Sequence, residues 1–523
     1  MRGSDGTRMD REQMNSIARP VKEISLEQWS AELASGRRSP VGLTADYLAR
    51  IAELDRDGPR LRSVIETNPD ALEIAIEMKR ELQANRRRGP LHGVPILIKD
   101  NIDTSDAMST TAGSLAMSGV KPSADAIVVT RLRASGAVLL GKTNMSEWAN
   151  ARGAHGTGGW SARGGLTRNP YVLDRSASGS SSGSAVAVAA SLCAAAVGTE
   201  TDGSILCPAA VCGVVGLKPT VGLVSRTGVI PLANSQDTPG PIARNVRDCA
   251  LLLDAMAGAD PQDPATLAAP DSQRSDYAGR LDPSTLHGCR LGLMEAFLPA
   301  HAGIRAAYES ALSILAKAGA TLVRITDLPD LALMREHERF VMLTELKAGL
   351  NDYLGRAGAG APRNIKDLTE FNKRHSREEM PWFQQERLEQ AERMPDLSAP
   401  EYLFARQECL RLAKYSGIDA LIGAHGLDAL IAPTTQPAGV IDLALGDPAG
   451  IHSCTMAAVA GTPGITVPAG HWLGLPLGLS FYGQAWQEQR LLNLALGFEQ
   501  ISAARQAPTY RKSIEDNMPA IIV

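Results

Sequence analysis

No sign of charge dominates this chain. Lys and Arg total 53 against 57 Asp and Glu, a formal net charge of −4, and charged residues make up 21% of the sequence. A balance of that kind gives no basic face for nucleic acid or for a membrane surface, so neither is expected as a partner. Long apolar runs are also missing. The longest, Ala185 to Val197, is too short to span a bilayer. Cysteines are few, seven in all, at Cys193, Cys207, Cys212, Cys249, Cys289, Cys409 and Cys454. An odd count without a CxxC pair argues against a disulfide framework or a zinc site. Three of the seven lie in the apolar stretch and read as small buried hydrophobes. Met1 to Pro20 is polar and charged, with no apolar h-region, so no signal peptide is expected there. Internal repeats and low-complexity tracts are lacking too. A cytoplasmic location is the default, with a secreted or periplasmic one left open should a native leader be missing.

What the chain does have is a small-residue stretch, Gly179 to Thr220 (GSSSGSAVAVAASLCAAAVGTETDGSILCPAAVCGVVGLKPT). Two serine-rich turns, Gly179–Gly183 and Thr201–Ile205, flank an apolar segment that suits a buried helix running into a strand. Glycine beside serine lets the backbone reach positive φ and come close to a ligand. Main-chain N–H groups are therefore expected to line a pocket here.

A serine hydroxyl is a weak nucleophile at neutral pH and needs a base. No histidine lies between His155 and His287. A lysine held neutral by burial is the other choice, because burial disfavours the ammonium. Lys99 ends the run Gly93-Val94-Pro95-Ile96-Leu97-Ile98-Lys99, whose apolar residues predict a buried strand.

Two short motifs compete with this reading. Gly136 to Thr143 fits the phosphate-loop expression GxxxxGK[ST], but the residues between its glycines are themselves the predicted strand, so phosphate binding is rejected. Gly179-Ser180-Ser181-Ser182-Gly183 fits GxSxG, which would make Ser181 the nucleophile of a Ser-His-Asp hydrolase, with His287, His301 or His452 as base. The preceding Tyr171 to Ser178 lacks the buried strand that such an elbow follows.

Taken together, PILIKDN, GSSSGS, GTETDGSI, SILCPAAVCGVVGLKPT and GTPGITVPAG…GLPLGL resemble the amidase signature family, over about residues 91–500. Ser146-Glu147-Trp148-Ala149-Asn150 and Gly159–Gly165 resemble its peptide amidase branch. The resemblance implies an α/β fold, a large mixed twisted sheet flanked by helices. It also implies amide hydrolysis through an acyl-enzyme, with Lys99 as base, Ser180 as bridging serine and Ser204 as nucleophile. Ser180 and Ser204 stand 24 positions apart, the family's spacing. The oxyanion would rest on the turn Thr201, Asp202, Gly203 and Ser204, and no metal or cofactor is implied. Ser178, Ser182 and Asp202 replace usual glycines, and Leu206 a common arginine. Asp202, Leu206 and Cys207 flank the nucleophile and are the expected substrate-binding positions. The expected substrate is a small amide or a peptide amide, with C-terminal peptide amides first and broad aryl or aliphatic amides as the alternative. Asp202 either braces its turn or faces the cleft. A non-catalytic component of an amidotransferase complex is the rival from outside enzymology, and a monomer or homodimer is expected.

Elsewhere, Ser25–Gln28 reads as a capping box and Ser39-Pro40 as a helix start. Residues 1–20 read as a disordered leader and 21–523 as a single domain. Within it, 331–419 is a helix-rich cap region over an α/β body.

Overall fold

The computed structural model describes residues 21–448 and 451–517, so the expected leader, 1–20, lies outside the described residues. The expected mixed sheet is present and has 11 strands. They are β1 (Val64–Thr67), β2 (Pro95–Lys99), β3 (Val138–Thr143), β4 (Ala195–Glu200), β5 (Val215–Lys218) and β6 (Thr238–Ala243). Then follow β7 (Arg290–Met294), β8 (Thr321–Ile325), β9 (Ala429–Pro433), β10 (Gly464–Trp472) and β11 (Leu475–Tyr482). Their order across the sheet is β1-β3-β2-β4-β6-β5-β10-β11-β9-β7-β8. The runs β3-β2-β4 and β9-β7-β8 are parallel, and the pairings between them are antiparallel.

Local sequence explains most of these elements. Ser25 and Gln28 form the capping box of the helix Leu26–Ala34, and Ser39 caps the helix Pro40–Arg50. The strands β2 and β4 are buried along their whole length. They carry the near-continuous apolar character expected of parallel strands covered on both faces. Strand β6 was not anticipated, because it contains Pro239 and Pro241, and proline is normally confined to sheet edges. It lies in the middle of the sheet. Its pairing with β4 spans Thr238 to Ile242, whereas its pairing with β5 involves only Ile242 and Ala243, beyond both prolines.

The phosphate-loop look-alike is indeed a strand. Lys142 sits fully buried on β3, and its ammonium donates to Ile102 O and to Thr110 Oγ1. Its charge serves the loop that follows β2.

One apolar core surrounds β2, β4 and the helices Ser182–Ala189 and Val246–Met256. The helices Leu331–Arg356, Ile365–Arg374, Glu386–Glu392 and Pro400–Leu410 lie to one side. Leu346, Leu350 and Leu388 of this helical region pack on Met117 and Trp148 of the body. A separate cluster gathers Leu206, Cys207, Cys454, Met456 and Tyr482 with Met334 and Val341. Among the described residues, no helix is long and apolar enough to cross a membrane.

Candidate active site

Strand β2 delivers Lys99 into the protein interior, where the side chain has no exposure. Its Nζ lies 2.7 Å from Ser180 Oγ, 2.8 Å from Thr199 Oγ1 and 3.1 Å from Thr199 O. Burial pulls its pKa down to about 7, against the opposing pull of Asp237 and Glu200. Near neutral pH the amine is thus divided between its two protonation states, as a general base requires.

Ser180 begins the serine-rich turn, after a cis Gly179–Ser180 peptide. The neighbouring Ser181 donates its backbone N–H to Ser204 O at 3.0 Å, which docks the two turns against each other. The Ser181 hydroxyl is fully buried, donates to Thr199 O at 3.0 Å and accepts from Thr199 N–H at 3.2 Å. Ser181 therefore faces the interior, and a nucleophile elbow centred on it has no access to substrate. Ser204 retains 7% exposure.

Buried acids hold the second turn. Glu200 Oε2 accepts the N–H groups of Ile205 and Leu206 at 2.7 and 2.9 Å, fixing the start of the helix Leu206–Val211. Burial raises the Glu200 carboxyl above its ordinary range, with Lys218 opposing the shift. Thr201 Oγ1 donates to Asp237 Oδ1 at 2.5 Å, and burial lifts Asp237 to about 6. Gly203 has φ +75°, and a Cβ there would stand 2.9 Å from Cys207 Sγ. Only glycine combines that conformation with that packing.

A cavity of about 650 Å³ opens on this turn. Asp202, Gly203, Cys207, Ser178 and Gly179 line its floor. The glycine-rich segment Arg152–Gly158 with Trp160, the loop Thr435–Val440, and Arg335, Phe383 and Arg387 from the helical region form its walls. Of the three expected substrate-binding positions, Asp202 and Cys207 face this space. Leu206 is fully buried in the apolar cluster and does not line it, because the helix that starts there points Leu206 into the core. Asp202 borders the cavity and is tied to a distant helix rather than to its own turn. Its Oδ2 accepts from Thr455 Oγ1 at 2.9 Å while the carboxylate borders the cavity.

Several residues around the site were not anticipated. Thr199, Glu200 and Asp237 surround Lys99 and the turn, although the first two belong to the GTETDGS run. His452, named in the sequence only as a candidate base for Ser181, borders the cavity with Nδ1 3.9 Å from Asp202 Oδ1. Burial lowers its pKa, but Asp202 and Cys454 outweigh that and lift it to about 9.

Comparison with known proteins agrees with this architecture. The Amidase family model matches residues 42–492. The solved structure of native peptide amidase from Stenotrophomonas maltophilia is 51% identical, with a TM-score of 0.90 over 94% of this chain and 99% of that one. An amidase family protein from Bacillus anthracis is 34% identical, with a TM-score of 0.85 over 95% and 96% of the two chains. A probable amidase from Arabidopsis thaliana is 38% identical over 94% of this chain and 92% of its own length.

Proposed function

The chain belongs to the amidase family and is an amidase, and from that premise we propose that it works through Lys99, Ser180 and Ser204 and acts on the C-terminal carboxamide of peptides. Neutral Lys99 takes the proton of Ser180 as Ser180 takes that of Ser204. Ser204 Oγ attacks the amide carbonyl. The N–H groups of the turn 201–204 receive the negative charge that develops on the carbonyl oxygen. Preorganised donors of this kind are worth roughly 3–4 kcal/mol each. Ser180 then returns a proton to the leaving amine, and ammonia departs. Water hydrolyses the acyl-enzyme by the same relay.

The observation that carries the relay is the 2.7 Å contact of Lys99 Nζ with Ser180 Oγ, made by a lysine with no solvent exposure. Substrate choice has separate support. The segments Ser146–Asn150 and Gly159–Gly165, whose pattern points to the peptide amidase branch, lie at the cavity, which Glu147, Asn150 and Trp160 line. The match to the S. maltophilia peptide amidase spans nearly the whole chain. Asp202 supplies a physical reason. A carboxamide releases neutral ammonia, whereas cleaving the last peptide bond of a free peptide releases a product carrying an α-carboxylate into a cavity that Asp202 borders, and the Asp202 charge opposes it to the extent that His452 leaves it uncompensated.

The test incubates the purified chain with a short peptide amide, its free-acid twin and a simple anilide, and follows ammonia and products by mass spectrometry. Ammonia from the peptide amide, with the backbone intact, is the expected result. It also separates a free-standing enzyme from a component that needs a partner. Rapid anilide hydrolysis with an untouched peptide amide would mark a broad aryl and aliphatic amidase instead.

A further inference from the structure

Behind the Gly203 turn lie three side chains that the hydrolytic scheme does not use together. Cys207, His452 and Cys454 bring their ligand atoms within 4.8 Å of one another. The two sulfurs are 3.7 Å apart. Zinc bonded to two thiolates at about 2.3 Å each, with a tetrahedral angle between them, holds its sulfurs about 3.8 Å apart. The dithiol edge thus already has the spacing of a tetrahedral thiolate site. Asp202 is not one of these three side chains, but it borders them through His452. Among the described residues, Asp202 Oδ1 and His452 Nδ1 are buried atoms without a hydrogen-bond partner, and they lie 3.9 Å apart. Cys207, His452 and Asp202 border the large cavity, so an ion has a path in from solvent. We propose that Cys207, Cys454, His452 and Asp202 form a binding site for a thiophilic divalent cation of the zinc and cadmium class, and that its occupation inhibits the enzyme.

Two thiolates and an imidazole select such a cation over magnesium or calcium, which prefer all-oxygen shells. On binding, each thiol and the His452 imidazolium lose a proton to solvent, and Asp202 contributes its carboxylate. Inhibition follows from position. A Cβ on Gly203 would meet Cys207 Sγ at 2.9 Å and Cys454 Sγ at 3.7 Å, so the sulfurs pack directly beneath the turn that carries Ser204. Drawing both sulfurs and the Asp202 carboxylate onto one ion displaces that turn and changes the charge of the cavity floor.

The test uses the full chain, freed of metal with a chelator, and needs no turnover to read binding. Zinc is titrated by equilibrium dialysis, and cobalt(II) is added to a second sample to record a thiolate-to-metal charge-transfer band. One zinc per chain and a thiolate–cobalt band are expected. Binding should weaken by more than about tenfold in Cys454→Ala and in His452→Asn, since even outer-shell changes at metal sites cost about that much. Zinc should inhibit amide hydrolysis by the wild type, with a half-inhibitory concentration at least about tenfold higher in Cys454→Ala, whose activity without zinc is retained. If Cys454→Ala does not fold, His452→Asn and the wild-type cobalt band decide. Absence of stoichiometric zinc in the wild type overturns the proposal. So does equal zinc affinity in wild type and variants, or equal inhibition of both.

Discussion

Burial decides the chemistry of Lys99 more than any contact it makes. With its pKa near 7, the amine is neutral above that value and charged below it. The proposed base works only when neutral. Turnover should therefore climb with pH through about 7 and level off above it, a limb that Lys99→Ala removes along with nearly all activity. EDTA should leave the rate undiminished. A flat profile through this window, or full activity in Lys99→Ala, contradicts the relay. At Asp202, replacing the carboxylate by Asn keeps an acceptor for Thr455 and deletes the charge facing the cavity. Asp202→Asn should narrow the preference for a peptide amide over its free-acid twin by about tenfold, the effect of roughly 1.4 kcal/mol. Paired kcat/KM measurements read this directly, and unchanged discrimination sinks the role. These positions are visible in the sequence because their signals are local. PILIK announces a buried lysine, and the serine turns carry their glycines beside them. His452, Cys207 and Cys454 are not visible as a group. Cys207 and Cys454 are 247 positions apart, and only the pairing of distant strands brings them together. Leu206 departs from its expected role for a related reason, since adjacency to a nucleophile in sequence says nothing about which side of a helix faces the cleft.

Arg152 is the side chain that ties the glycine-rich segment to the helical region, beside backbone contacts such as Ala154 N–H to Glu386 Oε2 at 3.0 Å. Arg152 packs against the rings of both Trp160 and Phe383, 4.8 and 4.0 Å from their centres, and its guanidinium is 3.3 Å from Glu147. It also donates to Glu379 O. Burial, opposed by Arg152 and aided by Glu379, lifts the Glu147 carboxyl above its ordinary range. Arg152→Ala removes the cation from this set of buried partners. A loss of at least about 3 kcal/mol is expected, the lower end for breaking a buried ion pair. Denaturant unfolding checks it, and a cost under about 1 kcal/mol would show that the contact is incidental. The elements themselves are largely legible. Strands β2, β7, β8, β9, β10 and β11 and the helices around them follow apolar periodicity. Strand β6 is the exception, because TPGPIA carries two prolines and a glycine, all disfavoured in a strand, and its neighbours in the sheet impose the extended form. The long loop Thr435–Val440 has no periodic pattern at all, so its place on the cavity wall is purely a tertiary result.

Across the whole molecule, charged groups are buried far from solvent as well as at the site. Glu488, the first residue of the helix Glu488–Ser502, is fully buried and accepts the Thr220 N–H at 2.7 Å. Burial raises its pKa above the ordinary 4.5, so the folded chain holds this proton more tightly than the unfolded one. Its contribution to stability is complete below 4.5 and is lost as pH rises through the folded value. The melting temperature should therefore fall as pH is raised above that range. Glu488→Gln, which keeps an acceptor for Thr220, should fall less steeply. Parallel slopes for the two proteins would rule this out. The overall fold and the family are accessible from sequence because several motifs occur in one order, whereas the shape of the cavity depends on how the helical region closes over the sheet. The proposed mechanism as a whole rests on which serine is acylated. Treating the protein with a serine-directed phosphonate or sulfonyl fluoride, followed by peptide mapping, answers that most directly. A single adduct on Ser204, absent in an inactive Ser204→Ala variant, is the predicted result. An adduct on Ser181, with Ser204→Ala still active, would contradict it.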